Sequence, residues 1–159
     1  MGRYTGIEDP WEAVMSLDGA LDDVEAQAEQ DLPGAMAALE ALVPGRPPAE
    51  AARIFVLLGA LTARSGDLDG ALPILERARV LGGLDRTRPT HVEAQITHAS
   101  VLGALGRFDE AIPMLTRVIR ELEGQPDHAE LRRDAQAELR GYRNVVSPKT
   151  AATWASLLG

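Results

Sequence analysis

Apolar residues recur along most of this chain with the spacing of an α-helix. In residues 108–123, for example, Ile112, Leu115 and Ile119 return every three or four positions and form one apolar stripe. Joints that contain glycine or proline separate such stretches, and no stretch alternates as a half-buried strand would. The pattern predicts an all-α fold with about eight helices, near residues 10–29, 32–43, 48–65, 68–82, 89–105, 108–123, 126–143 and 148–158.

Two segments of the chain repeat each other. Residues 66–78 (GDLDGALPILERA) and 106–118 (GRFDEAIPMLTRV) are identical at six of thirteen positions, and residues 30–42 form a weaker third copy. Prolines at four predicted helix starts recur with a similar period: Pro10, Pro48, Pro89 and Pro126. A repeat of this length predicts pairs of helices whose wide apolar stripes are buried by neighbouring pairs.

These signals predict a single domain over residues 10–159 after a lead-in of residues 1–9. Its helical hairpins are expected near residues 10–43, 48–82, 89–123 and 126–158. Asp9 and Glu12 have the spacing of a capping box at the first helix. Trp11 and Trp154 lie near the two ends, where large side chains often cover the open ends of a stack, and either could instead form an oligomer contact.

Residues 50–123 resemble the tetratricopeptide-repeat (TPR) family. The resemblance is carried by eight positions with that family's spacing: Phe55, Leu58, Gly59, Thr62, Gly66, Ala71, Leu75 and Ala78. It weakens at Gln95 and His98, where the family has apolar residues, and at Asp22 and Asp23, where it has a Leu-small pair. The copies are spaced more widely than the family's usual repeat, which is similar to the stretched TPR variants of bacterial regulators and scaffolds. The resemblance implies a right-handed superhelical stack of antiparallel hairpins, an α-solenoid.

That resemblance also implies a concave groove, lined by the first helix of each pair, that binds a peptide or partner helix. The groove spacing projects onto Arg53, Val56, Ala60 and Ala63, then Glu93, Ile96, Ser100 and Gly103, then Arg133, Gln136, Arg140 and Arg143. Alternatively, a neighbouring helix fills the space beside Val56, Ala60, Ile96 and Gly103. Val56, Ala60, Ile96 and Ser100 stand where chaperone-binding TPR proteins have Lys and Asn, which disfavours a clamp for a C-terminal carboxylate.

Charge is distributed unevenly along the chain. The formal charge is −8, yet residues 4–45 hold ten carboxylates and no Lys or Arg, whereas residues 46–159 hold fourteen acids and fifteen bases. Such an acidic chain is not expected to contact nucleic acid directly. The acidic run is either a solvated helix surface or a docking face for a basic partner. That partner could be the Arg133–Arg143 face of another copy, which would give a homo-oligomer, although this face could also be a solvated flank paired with its own acids.

The sequence shows no pattern that predicts catalysis or a bound cofactor or metal. There is no cysteine, and His91, His98 and His128 complete no metal-ligand set. Nucleophile elbows and glycine-rich phosphate loops are absent from the sequence. No apolar run approaches the length of a membrane span, and the first residues do not resemble a secretory signal, so a cytoplasmic location without membrane contact is expected.

The sequence therefore predicts a non-catalytic protein-interaction module, an adaptor or scaffold. Two other functions remain open at this point. One is a regulatory sensor domain of a bacterial signalling or transcription-control system. The other is a structural repeat protein that assembles with itself.

Overall fold

The computed structural model describes residues 10–83 and 89–146, and side chains from residue 17 onward. Within these residues the chain forms seven α-helices and one 3-10 turn, with no strand. The helices are α1 (Pro10–Ala28), α2 (Leu32–Leu42), α3 (Pro48–Arg64), α4 (Leu68–Gly82), α5 (Thr90–Ala104), α6 (Phe108–Glu121) and α7 (Ala129–Val146). The predicted all-helical class is confirmed for this part of the chain. The predicted last helix, with Trp154, and the Asp9 end of the predicted capping box lie outside the described residues.

Helix boundaries follow the sequence pattern closely except at α7. The sequence predicts a helix over residues 126–143, but Pro126–His128 forms a 3-10 turn and α7 begins at Ala129. The His128 N–H donates to the Gln125 carbonyl at 3.1 Å, a bond that spans three residues and tightens the chain before the α-helix starts. Proline suits the first position of either kind of helix, so its position alone does not distinguish them.

The turns inside the hairpins repeat as the sequence does. Gly66 and Gly106 have φ angles of +98° and +75°, in the left-handed region that side chains disfavour, and each ends the first helix of a pair. One residue later, Asp67 caps α4, where its carboxylate accepts the Gly70 N–H at 2.9 Å. Asp31 caps α2 in the same way. The third copy, although weaker in sequence, therefore shares this aspartate cap with the copy at residues 66–78.

Buried positions repeat with the same period as the sequence. Ala71 and Leu75 on α4, and Ala111 and Leu115 on α6, are fully buried. Every helix packs against the next one in the chain, and α1 contacts α3, α3 contacts α5 and α5 contacts α7. The odd-numbered helices therefore lie side by side.

Two ion pairs show how α1 and α3 are aligned. Arg53 donates to Asp18 of α1, and Arg64 donates at 3.0 Å to Glu29, the residue that follows α1. Both pairs join residues that are 35 apart in sequence, which means that the two helices run in the same direction with a fixed register. This register brings one face of α1 beside one face of α3.

Candidate protein-binding groove

An open groove of about 540 Å³ lies between α1, α3 and α5. Nine residues line it: Asp18, Leu21, Asp22 and Glu25 from α1; Arg53, Val56, Leu57 and Ala60 from α3; and Glu93 from α5. On both α1 and α3 the four residues follow the spacing of one helix face. We call this feature the acidic groove.

The acidic groove exists because α3 buries one side and leaves another partly uncovered. Ile54, Phe55 and Leu58 are buried in the core. Val56 and Leu57, on another side, are only partly buried and pack against that core from the groove. Ala60 adds only a methyl group to the lining, which leaves space that a larger residue would fill.

The charges of the lining do not cancel. Four carboxylates stand against the single guanidinium of Arg53, a formal charge of −3. Arg53 donates a hydrogen bond to Asp18, so its charge is already engaged at the α1 wall. Asp22 and Glu25 are exposed on the same wall. Charged groups that line a cleft act together on an approaching ligand, and this cleft attracts cations.

Glu93 differs from the exposed acids because it is half-buried. Its burial raises the pKa of the carboxyl above its ordinary value, and nearby Arg53 and His128 oppose that rise only in part. A carboxylate in this position gains more from a nearby cation than an exposed one does. We therefore expect Glu93 to respond more strongly to a bound cation than the exposed Asp22 and Glu25 do.

The projected groove residues separate into distinct surroundings. Arg53, Val56, Ala60 and Glu93 line the acidic groove together. Ile96 instead packs against the apolar cluster that α5 shares with α6 and α7.

The remaining α3 and α5 candidates are also engaged by neighbouring helices. The Ser100 hydroxyl lies 2.5 Å from a carboxylate oxygen of Glu138, to which it donates a hydrogen bond. Ala63 packs against the cluster around α4, and the Tyr142 ring lies against Gly103. At these positions neighbouring residues occupy the space beside the side chains.

The candidates on α7 line two other hollows beside α6. A hollow of about 510 Å³ is lined by Thr116, Ile119, Arg120, Glu123, Gln136, Leu139, Arg140 and Arg143. Arg133 and Gln136 line a smaller one of about 340 Å³. We call the first of these the arginine hollow. Its guanidinium groups outnumber its single carboxylate, so its charge is opposite to that of the acidic groove.

The sequence projection did not name the α1 wall of the acidic groove. In the sequence, Asp18, Asp22 and Glu25 count only among the ten carboxylates of the acidic run, and Leu21 belongs to no predicted site. The signal that could have found them is the spacing of i, i+3, i+4 and i+7, which places them on one face with an apolar residue among acids. Their position beside α3 is visible only in the folded chain.

Other kinds of site find little support in the described residues. No group of three or more His, Asp or Glu side chains there could hold a metal ion. His98 lies 3.9 Å from Glu76, but burial lowers the pKa of its imidazole, as in a packed structural histidine. None of the helices in the same ranges is long and apolar enough to cross a membrane.

Comparison with known proteins does not assign this chain to a family, so its class follows from the structure. No protein-family model matches this chain, and none of the curated proteins matches its sequence. What the described residues define is an all-helical protein whose helices pack against their neighbours in the chain and whose helices α1, α3 and α5 border an acidic groove.

Proposed function

We propose that this chain is a non-catalytic protein-interaction module, a TPR-like solenoid acting in the cytoplasm as an adaptor or scaffold. Its acidic groove binds a peptide or a partner helix. The observation that carries the proposal is the groove itself, in which residues projected from two separate helices, Arg53 and Ala60 on α3 and Glu93 on α5, share one lining.

The packing order of the helices supports the solenoid part of the proposal. Contacts run from each helix to the next, and the odd-numbered helices form a row. In helical-repeat proteins such a row presents a continuous surface to a ligand, while the other helices cover its back. The turn geometry that repeats at Gly66 and Gly106 supports the same arrangement.

The size and lining of the groove support a protein segment as its ligand. A volume of about 540 Å³ is within the range of clefts that bind ligands, and here the cleft is open to solvent and bordered by three helices. Apolar side chains between charged ones suit an amphipathic segment, which needs both kinds of contact.

Filling the groove tests this proposal directly. Peptides are selected from a random display library on the full chain, and their dissociation constants are measured for Ala60→Trp and for the control Ala37→Trp, whose site is exposed on α2. We expect Ala60→Trp to weaken binding at least about tenfold because its indole occupies the groove, and Ala37→Trp to leave binding unchanged. Selected peptides that bind Ala60→Trp as tightly as wild type would place the site elsewhere, and a selection that yields no binder would contradict the function.

Self-association is a second candidate, favoured by one observation. The acidic groove and the arginine hollow carry opposite charge on the same chain, so two copies could attract each other. The mass of the protein in solution distinguishes this candidate from the first.

A further inference from the structure

The geometry points to a cationic amphipathic segment of a separate protein as the occupant of the acidic groove. In this arrangement Asp22, Glu25 and Glu93 bind its Lys or Arg side chains while its apolar face packs on the groove floor. This inference rests on the proposed function and specifies the chemistry of the partner.

The two walls of the groove place acids on both sides of an apolar strip. Asp22 and Glu25 lie on α1, and Glu93 lies across the groove on α5. Between them, Val56 and Leu57 of α3 are partly exposed. A ligand that satisfies this arrangement needs an apolar face bordered by basic side chains, which is the pattern of a basic amphipathic helix.

Glu93 favours a cation independently of the exposed acids. A half-buried carboxylate that lacks full compensation is costly, and that cost is relieved when an opposite charge arrives. Because Arg53 is bonded to Asp18, it compensates Glu93 only in part. A guanidinium or ammonium group of the ligand would complete this compensation.

Arg53 is then a competitor of the ligand. The Arg53 guanidinium lines the groove that the cation of the ligand must enter, and its positive charge reduces the negative charge of the groove. Removing its charge should therefore tighten the binding of a cationic ligand. A purely structural role for Arg53 predicts lower stability and no gain in affinity.

Shape favours a separate protein over a second copy of this chain. Arg120, Arg140 and Arg143 line the arginine hollow, which is itself a recess. A recess cannot insert into the acidic groove, whereas a helix or an extended segment can. The occupant must project its basic side chains outward.

Three fluorescent helical peptides that share the same apolar positions test the inference. Their polar positions carry Arg, Gln or Glu. For the full chain we expect the Arg peptide to bind at least about tenfold tighter than the Gln peptide, the Glu peptide not to bind, and the affinity for the Arg peptide to fall as salt is added.

Substitutions in the acidic groove test whether the preference for the Arg peptide arises there. The double substitution Asp22→Lys with Glu25→Lys should weaken the binding of the Arg peptide at least about tenfold and should allow the Glu peptide to bind. The control, Asp23→Lys combined with Glu40→Lys, makes the same change in net charge at exposed residues outside the groove and should have little effect. Glu93→Gln should weaken the binding of the Arg peptide about threefold or more without lowering the melting temperature of the protein. Arg53→Gln should tighten the binding of the same peptide about twofold or more.

Each result has a defined meaning. Equal affinity for the Arg and Gln peptides, or display-selected binders without basic residues, would overturn the inference and leave the proposed function intact. If the control variant with Asp23→Lys and Glu40→Lys also lost binding of the Arg peptide, the inference would be overturned, because the effect would come from net charge alone. Light scattering in the same buffers that shows a dimer broken by the Asp22→Lys and Glu25→Lys pair would assign the groove to a second copy.

Discussion

Arg53 and Glu93 occupy equivalent positions on α3 and α5, one repeat apart, yet they carry opposite charges. The repeat that preserves buried residues such as Leu75 and Leu115 does not preserve these two. Buried positions are constrained by neighbouring side chains, whereas a residue at the edge of a groove is free to change with its ligand. This contrast distinguishes the residues that hold the fold from those that face the groove.

His98 gives the fold a sensitivity to acid. It lies 3.9 Å from Glu76 of α4, and its burial lowers the pKa of the imidazole below its ordinary value near 6.5, while the charges of Glu76, Arg79, Arg107 and Glu110 have smaller, opposing effects. The unfolded chain therefore binds the proton more tightly than the folded chain. The stability contributed by neutral His98 is complete above pH 6.5 and is lost as the pH falls toward the lowered pKa.

We expect His98→Gln to flatten the fall in the free energy of unfolding between about pH 7.5 and about pH 5.5. Urea denaturation at several pH values measures this slope, which is independent of any constant loss caused by the substitution itself. His128→Gln, on the 3-10 turn, is the control. Parallel slopes for wild type and His98→Gln would show that His98 does not produce the acid sensitivity.

At the scale of helices, Gly59 allows α3 to lie close against Leu75 of α4. A Cβ atom built on Gly59 would lie 2.5 Å from Leu75 Cδ2, and Leu75 is fully buried, so its side chain has little room to move. In the next pair Ala99, which is fully buried, takes the equivalent place.

Gly59→Ala should lower the free energy of unfolding by about 1–3 kcal/mol because the added methyl group overpacks the α3–α4 contact. Gly19→Ala is the matched control: a Cβ there meets no atom within 4 Å, and alanine should stabilise α1 by about 0.5–1 kcal/mol. Thermal or urea denaturation measures both. If Gly59→Ala were as stable as wild type, Leu75 would have an alternative position.

At the scale of the whole molecule, the uneven charge becomes two separated surfaces. The acidic groove includes part of the acidic first quarter of the chain, and the arginine hollow lies beside α7. Attraction between copies should be strongest at low salt, because exposed charges are screened as salt is added.

Light scattering after size exclusion measures whether this attraction assembles the protein. If the groove serves a separate partner, the chain should remain at its monomer mass of 17.0 kDa at both low and high salt. A larger species that dissociates in salt and is abolished by Arg140→Glu with Arg143→Glu would instead support self-association. Ala37→Trp provides a control for an unrelated surface change.

Local sequence patterns are sufficient to predict the helices and their repetition, because the spacing of apolar residues and the positions of glycine and proline act over a few residues. The resemblance to TPR proteins implied a larger groove-facing set, of which Arg53, Val56, Ala60 and Glu93 line one groove. Which positions of that set remain open depends on how the helices pack. Asp18 reaches the groove because α1 lies beside α3, and Ser100 is covered because Glu138 of α7 lies against it. Such contacts join residues 35 or more positions apart, and their geometry depends on how whole helices pack, which no local pattern records.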